Sequence, residues 1–113
     1  MKWMIAIIAA AVSMAATASF AQDKKAERGL KVFQEQKCTL CHSIAGKGNK
    51  KGALDEVGSK LTEAQIRAWI VDPVGTAAKT KPAPTRKPPM KKKEMPGDDV
   101  DALVAYLSGL RKK

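Results

Sequence analysis

Apolar and polar residues recur with a helical period near the start of the chain, in residues 23–37. Ala26, Gly29, Leu30 and Phe33 fall at positions i, i+3, i+4 and i+7, and charged residues occupy the other face. This pattern predicts an amphipathic helix. Because glycine destabilises a helix interior, Gly29 within the apolar stripe predicts that another helix approaches closely there.

A second helix is predicted over residues 61–71. Thr62 and Gln65 have the spacing of a capping box, in which each side chain bonds a backbone N–H of the other residue. Leu61 and Ile66 flank this box at the positions of a hydrophobic staple. The apolar stripe of the helix consists of Ile66, Trp69 and Ile70.

The segment "DDVDALVAYLSGL" near the end of the chain predicts a third helix. Asp98 and Asp99 lie in its first turn, where the helix dipole favours acidic side chains. Its apolar face is formed by Val100, Leu103, Val104 and Leu107.

The stretches between these helices have the composition of loops. Residues 43–60 contain four glycines and many lysines. Asp72-Pro73 ends the middle helix, and residues 75–96 hold five of the six prolines, which predicts an extended segment. No alternating pattern of useful length predicts a strand, so we expect an all-α fold.

The first 21 residues have the order of a secretory signal peptide. Lys2 precedes a short apolar run, and small residues then lead to Ala21. The apolar run is short for a membrane span, although a retained anchor is the alternative. We therefore expect a cleaved leader, residues 1–21, a mature domain, residues 22–113, and export to the periplasm.

Size and charge restrict the function further. The full sequence has 113 residues, enough for one domain, and a formal net charge of +10. A domain this small often needs a cofactor, metal or disulfide to complete its core. The basic surface predicts acidic partners, whereas the aromatic content of 4% disfavours nucleic acid bound by base stacking.

Both cysteines of the chain and its only histidine lie within "CTLCH", residues 38–42. A zinc site needs about four ligands, and the sequence has no further Cys or His. A thioredoxin-like pair would need a βαβ context, and a disulfide would close too short a loop to stabilise much. Covalent haem attachment fits best: the thiols of Cys38 and Cys41 add to the two porphyrin vinyl groups, and His42 places an imidazole beneath the iron.

With these features the mature chain resembles the small class I cytochromes c of bacteria. The resemblance rests on Gly29 and Phe33 in the first helix, CTLCH after it, a glycine-rich loop and a last helix reading "LVAYL". It implies three to four helices around one covalent haem c. It also implies that the first and last helices cross, with Gly29 and Phe33 meeting the region of Leu103 and Tyr106.

A methionine is commonly the second axial ligand in such proteins, and the mature chain offers Met90 and Met95. Met95 stands five residues before Val100, at the position of a hydrophobic staple. Met90 follows two prolines that stiffen the backbone, and its interval to Tyr106 resembles the spacing of the family. We therefore expect His42 and Met90 to bind the iron, with Met95 as the alternative ligand.

Two expectations concern the surroundings of the iron. Relatives often have Gly-Pro after the first loop, and the proline carbonyl accepts the second N–H of the axial histidine. The matching pair here is Gly52-Ala53, which still offers a carbonyl. Trp69 is expected in the core, and donation of its indole N–H to a haem propionate is the alternative.

With both axial positions filled by the protein, the expected function is one-electron transfer rather than enzymatic catalysis. Lysines near the haem edge are expected to steer docking onto acidic redox partners, a donor and an acceptor in the membrane or the periplasm. They are Lys47, Lys50, Lys51, Lys91, Lys92 and Lys93. We expect a monomer that does not remain inserted in a membrane. If neither methionine binds iron, the alternative is a five-coordinate haem with peroxidase-like or gas-binding activity.

Overall fold

Helices dominate the part of the chain that the structure describes, residues 22–112 of a computed structural model. In chain order they are α1 (residues 22–35), α2 (Val57–Lys60), α3 (Glu63–Val71), α4 (Pro73–Lys79) and α5 (Gly97–Ser108). Two-residue strands, β1 (Ser43–Ile44) and β2 (Lys47–Gly48), pair antiparallel. The predicted all-α fold is confirmed, and the predicted leader, residues 1–21, lies outside the described residues.

Helix α5 contributes most to the hydrophobic core. All four residues predicted on its apolar face are buried, and side chains of α1 and α3 pack against them. The buried cluster consists of Val32, Phe33, Ile66, Ile70, Val100, Leu103, Val104 and Leu107. Burial of each large apolar side chain contributes about 1.5–3 kcal/mol, so this three-helix contact stabilises the fold strongly.

Helices α1 and α5 cross at Gly29, as the family resemblance implies. Gly29 is buried against the backbone carbonyl of Ala102 and the side chain of Tyr106, where a Cβ atom would collide with both. The rings of Phe33 and Tyr106 meet edge to face, with their centroids 6.3 Å apart. A salt bridge of 2.7 Å between Arg28 and Asp99 closes the same crossing.

The buried face of α1 is displaced from the predicted stripe. Gly29, Val32 and Phe33 are buried, whereas Leu30 is 40% exposed. Successive residues of an α-helix are about 100° apart, so a face centred on Val32 and Phe33 leaves Leu30 at its edge. The expectation that Leu30 belongs to the buried stripe is therefore wrong.

The predicted start and end of α3 are confirmed. Thr62 and Gln65 form the capping box. The backbone N–H of Gln65 donates to Thr62 Oγ1 at 3.2 Å, and the backbone N–H of Thr62 donates to Gln65 Oε1 at 2.8 Å. The helix ends at Val71, before Asp72. Trp69 is half-buried and belongs neither to the buried cluster nor to the side chains packed against it, so the expectation that it lies in the core is wrong.

Helix α4 includes the start of residues 75–96, which were expected to be extended. The Asp72 carboxylate accepts the N–H of Gly75 at 3.0 Å, and Pro73 occupies the first helical position, where its missing N–H is not needed. The pair that ends α3 therefore also starts α4. With the single turn of α2, residues 22–112 contain five helices rather than three to four.

Of the helices in residues 22–112, none has both the length and the apolar composition of a transmembrane segment.

The variant Gly29→Ala tests the helix crossing. Its methyl group would collide with the Ala102 carbonyl and the Tyr106 side chain, so we expect the free energy of unfolding in urea to fall by about 1–3 kcal/mol. Gly97→Ala is the control, because a Cβ there meets nothing within 4 Å, and it should stay within about 0.5 kcal/mol of wild type. Equal stability of the two variants would contradict the crossing.

Candidate functional site

The CTLCH segment forms one tight turn directly after α1. Lys37 adopts the left-handed conformation, with φ at 57°, and Cys38–Leu40 then forms a 3₁₀ turn. The carbonyl of Cys38 accepts the N–H of Cys41 at 3.1 Å and that of His42 at 2.9 Å. These bonds bring the three predicted cofactor-binding residues of this segment into a single turn of backbone.

Both thiols in this turn are free. Cys38 is half-buried and Cys41 is exposed. Addition to a vinyl group requires thiols that are not already bonded to each other, and the pair meets this requirement. Within residues 22–112, no group of three or more His, Cys, Asp or Glu side chains is arranged to hold a metal ion.

His42 is fixed by a hydrogen bond across the following loop. Its Nδ1 lies 2.9 Å from the backbone carbonyl oxygen of Gly52. A carbonyl only accepts, so Nδ1 carries the proton and Nε2 keeps its lone pair for a metal. The acceptor lies one residue before Ala53, the position that matches the proline of relatives.

Local electrostatics keep the imidazole neutral. Burial lowers the pKa of His42, the bond to the Gly52 carbonyl opposes this shift, and the Arg86 charge lowers the pKa further. Burial raises the pKa of the Cys38 thiol, and the charge of Lys93 partly opposes the shift. At neutral pH the turn therefore presents a neutral imidazole and a protonated Cys38 thiol.

Asn49 holds the CTLCH turn from the side. Its backbone N–H lies 3.0 Å from the Thr39 carbonyl and 3.1 Å from the His42 carbonyl. Its side-chain amide donates to the Leu40 carbonyl at 3.1 Å, and its side-chain oxygen accepts the N–H of Lys51 at 3.1 Å. One residue thus satisfies three carbonyls of the turn, which fixes the turn's shape.

Gly48 is required next to Asn49. It has φ at +109°, a conformation that side chains rarely adopt, and a Cβ there would collide with the His42 carbonyl. Sequence reasoning did not assign a role to Gly48 or Asn49. The Gly-Asn dipeptide was the available signal, but it indicates only a turn and not the segment that the turn contacts.

The short hairpin of β1 and β2 brings Gly52 to His42. Ser43 is buried, and its carbonyl accepts the N–H of Leu54 at 2.9 Å. The Asp55 carboxylate accepts the N–H of Ala45 at 2.6 Å. These bonds fold residues 43–55 back onto the turn, which explains how a loop residue supplies the acceptor for His42.

A cavity of about 740 Å³ lies beside the turn. Its lining residues are Leu40, Cys41, Asn49, Lys51, Thr85, Arg86, Lys87 and Pro88. The volume falls in the range of cofactor sites, roughly 300–1,000 Å³. Leu40 and Pro88 offer apolar contacts for a porphyrin edge, and Lys51, Arg86 and Lys87 complement anionic propionates. The free thiols, the available imidazole nitrogen and this lining fit a haem.

The two methionines lie in different environments. Met95 is half-buried and packs against the core, in agreement with its expected role as a staple. Met90 is 39% exposed and is not part of the CTLCH turn. Its segment nevertheless passes close to that turn, since Arg86 and Pro88 line the same cavity as Cys41.

The variant Asn49→Ala tests how the turn is held. Loss of two side-chain hydrogen bonds, which leaves the Leu40 carbonyl without this donor, should lower the free energy of unfolding in urea by about 1–3 kcal/mol. Asn49→Asp keeps the acceptor for Lys51 and loses only the donor, so its loss should be smaller. An Asn49→Ala protein as stable as wild type would contradict this role.

Comparison with known proteins identifies the family. The family model described as Cytochrome c matches residues 26–111, which include the CTLCH turn, the cavity lining and both candidate methionines. No curated protein and no solved structure shows significant similarity. The chain belongs to the cytochrome c family, and its cofactor is therefore a covalently attached haem c with iron, the basis of haem-dependent electron transfer.

Proposed function

We propose that this protein is a periplasmic one-electron carrier whose haem is bonded to Cys38 and Cys41 and whose iron is bound by His42 and Met90. The observation that carries the proposal is the hydrogen bond of 2.9 Å from His42 Nδ1 to the Gly52 carbonyl. It leaves Nε2 as the ring nitrogen that binds iron. A carbonyl partner also raises the basicity of a metal-binding histidine and orients its ring.

Burial and backbone position favour Met90 as the second ligand. The Met95 side chain already packs against the core, and withdrawal to a metal would leave a cavity there. Met90 has 39% of its surface exposed, and Pro88, two residues earlier, lines the cavity beside Cys41. The thioether of Met90 is therefore the one available to the haem from this segment.

Two protein ligands determine what the haem does. When bound, haem c supplies one-electron exchange between the ferric and ferrous states. Ligands on both faces leave no open position for a substrate, which favours electron transfer over catalysis. His42 and Met90 would hold the iron, and Cys38 and Cys41, on either side of the exposed Leu40, would carry the thioether bonds to the porphyrin.

The surface beside this edge suits an acidic redox partner. Leu40 is 68% exposed and Cys41 is exposed. Seven exposed lysines belong to the loop after CTLCH, to the cavity wall or to the segment around Met90. They are Lys47, Lys50, Lys51, Lys87, Lys91, Lys92 and Lys93. An apolar centre within positive charge favours a transient, salt-sensitive encounter of a monomeric carrier with its partner.

Export rests on the leader in residues 1–21. If the signal peptide is removed after Ala21, the mature protein begins at Gln22. Amino-terminal sequencing of the protein purified from the periplasm would give this residue, whereas an intact Met1 would support a retained anchor.

The iron ligands are tested by the matched variants Met90→Ala and Met95→Ala. The ferric wild-type protein should show the weak near-infrared charge-transfer band that marks methionine sulfur on iron. Met90→Ala should lose this band, and Met95→Ala should keep it while losing stability, because it removes core contacts. The opposite pattern would assign Met95, and a high-spin wild-type spectrum would favour the five-coordinate alternative.

The charged surface is tested with ferricyanide, a small anionic oxidant. The rate at which ferricyanide oxidises the ferrous protein should fall as ionic strength rises, because salt screens the attraction between the anion and the lysines. Lys51→Glu, beside the cavity, should slow the reaction a few-fold at low salt. Lys25→Glu makes the same charge change in α1, thirteen residues before Cys38, and should have a smaller effect. Equal effects would refute local steering.

A further inference from the structure

Arg86 differs from every neighbour in its segment. Of residues 81–94, the structure leaves all exposed except Arg86, which is half-buried. The exposed neighbours include four prolines, whose rings are apolar. Arginine side chains are mostly exposed, and they are rarely buried unless their charge is paired. The half-buried position of Arg86 therefore needs a physical explanation.

The guanidinium of Arg86 lies against the Gly52 backbone. An added Cβ at Gly52 would collide with Nη1 of Arg86 and with the Cys41 carbonyl oxygen. Glycine at this position therefore leaves space for the guanidinium. Arg86 also lines the cavity beside Cys41, together with Leu40 and Asn49.

This contact puts a permanent charge beside the support of the axial histidine. Arg86 contacts Gly52, and the carbonyl of Gly52 accepts the hydrogen bond from His42. The Arg86 charge also acts on the imidazole. Burial is the largest cause of the lowered pKa of His42, and the charge of Arg86 lowers this pKa further. Among the other cations, Lys51 and Lys87 also line the cavity, but both are exposed to solvent.

We propose that Arg86, resting on Gly52, is the fixed positive charge that raises the reduction potential of the haem. The inference rests on the proposed function, in which the iron is bound by His42. Reduction adds one electron from an external one-electron donor to ferric iron and moves no proton. The ferric state carries one more positive charge than the ferrous state, so a nearby cation disfavours it.

The chemistry of arginine suits this role. Its guanidinium stays protonated at all accessible pH values, so its effect does not vary with pH. Because Arg86 is half-buried, salt screens its charge less than it screens the exposed lysines. A fixed charge under these conditions changes the potential by a constant amount rather than through titration or docking.

Equilibrium redox titration of the holoprotein tests the inference with matched variants. Arg86→Gln removes the charge and keeps a side chain of moderate length. Arg86→Lys keeps the charge without the planar fork. Arg111→Gln removes one charge from an exposed position after α5 and serves as the control. The near-infrared band of each ferric protein shows whether the methionine ligand is retained.

We expect Arg86→Gln to lower the ferrous-to-ferric ratio at a given applied potential by about tenfold, which corresponds to about 59 mV for one electron. Arg86→Lys should show less than half this shift, and Arg111→Gln almost none. The Arg86→Gln shift should persist at high salt.

Equal potentials for Arg86→Gln and Arg111→Gln would overturn the inference. Equal shifts for Arg86→Gln and Arg86→Lys, or loss of the band in Arg86→Gln, would also overturn it, since the role would then be structural. Absence of the band from the wild-type protein would instead refute the Met90 proposal. In that case the difference between Arg86→Gln and Arg111→Gln still decides the role of Arg86.

Discussion

The hydrogen bond between His42 Nδ1 and the Gly52 carbonyl is the interaction on which the site depends. It determines the tautomer, and therefore which nitrogen is free for iron. The bond forms because Asn49 holds the CTLCH turn and because Ser43 and Asp55 fold the next loop back onto it. The only histidine of the chain is thus oriented by a backbone carbonyl, whose position depends on the side chains of Asn49 and Asp55.

The helix crossing gives this turn a rigid base. Gly29 lets α1 approach α5 closely, and Phe33 and Val32 enter the shared core five and six residues before Cys38. The turn follows α1 after two residues, Gln36 and Lys37, of which Lys37 is left-handed. The thiols therefore follow closely after a helix that enters the hydrophobic core, whereas the segment with Met90 is exposed and contacts the core through Met95.

Local patterns predicted the parts of this structure that depend on local interactions. The capping box of Thr62 and Gln65 and the apolar face of α5 follow from residues close in sequence. Gly29 predicted a long-range contact because its helical position is unfavourable without one. CTLCH identified the cofactor because so few chemistries use those residues at that spacing.

Other features depend on contacts that a single sequence does not encode locally. Asn49 acts on carbonyl groups up to ten residues away, and its residue type indicates only a turn. Arg86 is half-buried within a segment whose composition predicts full exposure. Asp72 ends α3 and also caps the start of α4, and the sequence predicted only the end of α3.

Heteronuclear NMR of the ferrous holoprotein is the most direct measurement of how His42 is held. Assignment is unambiguous because the chain has one histidine. The account predicts a proton on Nδ1 that exchanges slowly with water, through its bond to the Gly52 carbonyl, and no proton on Nε2. A proton on Nε2, or an Nδ1 proton that exchanges freely, would contradict it.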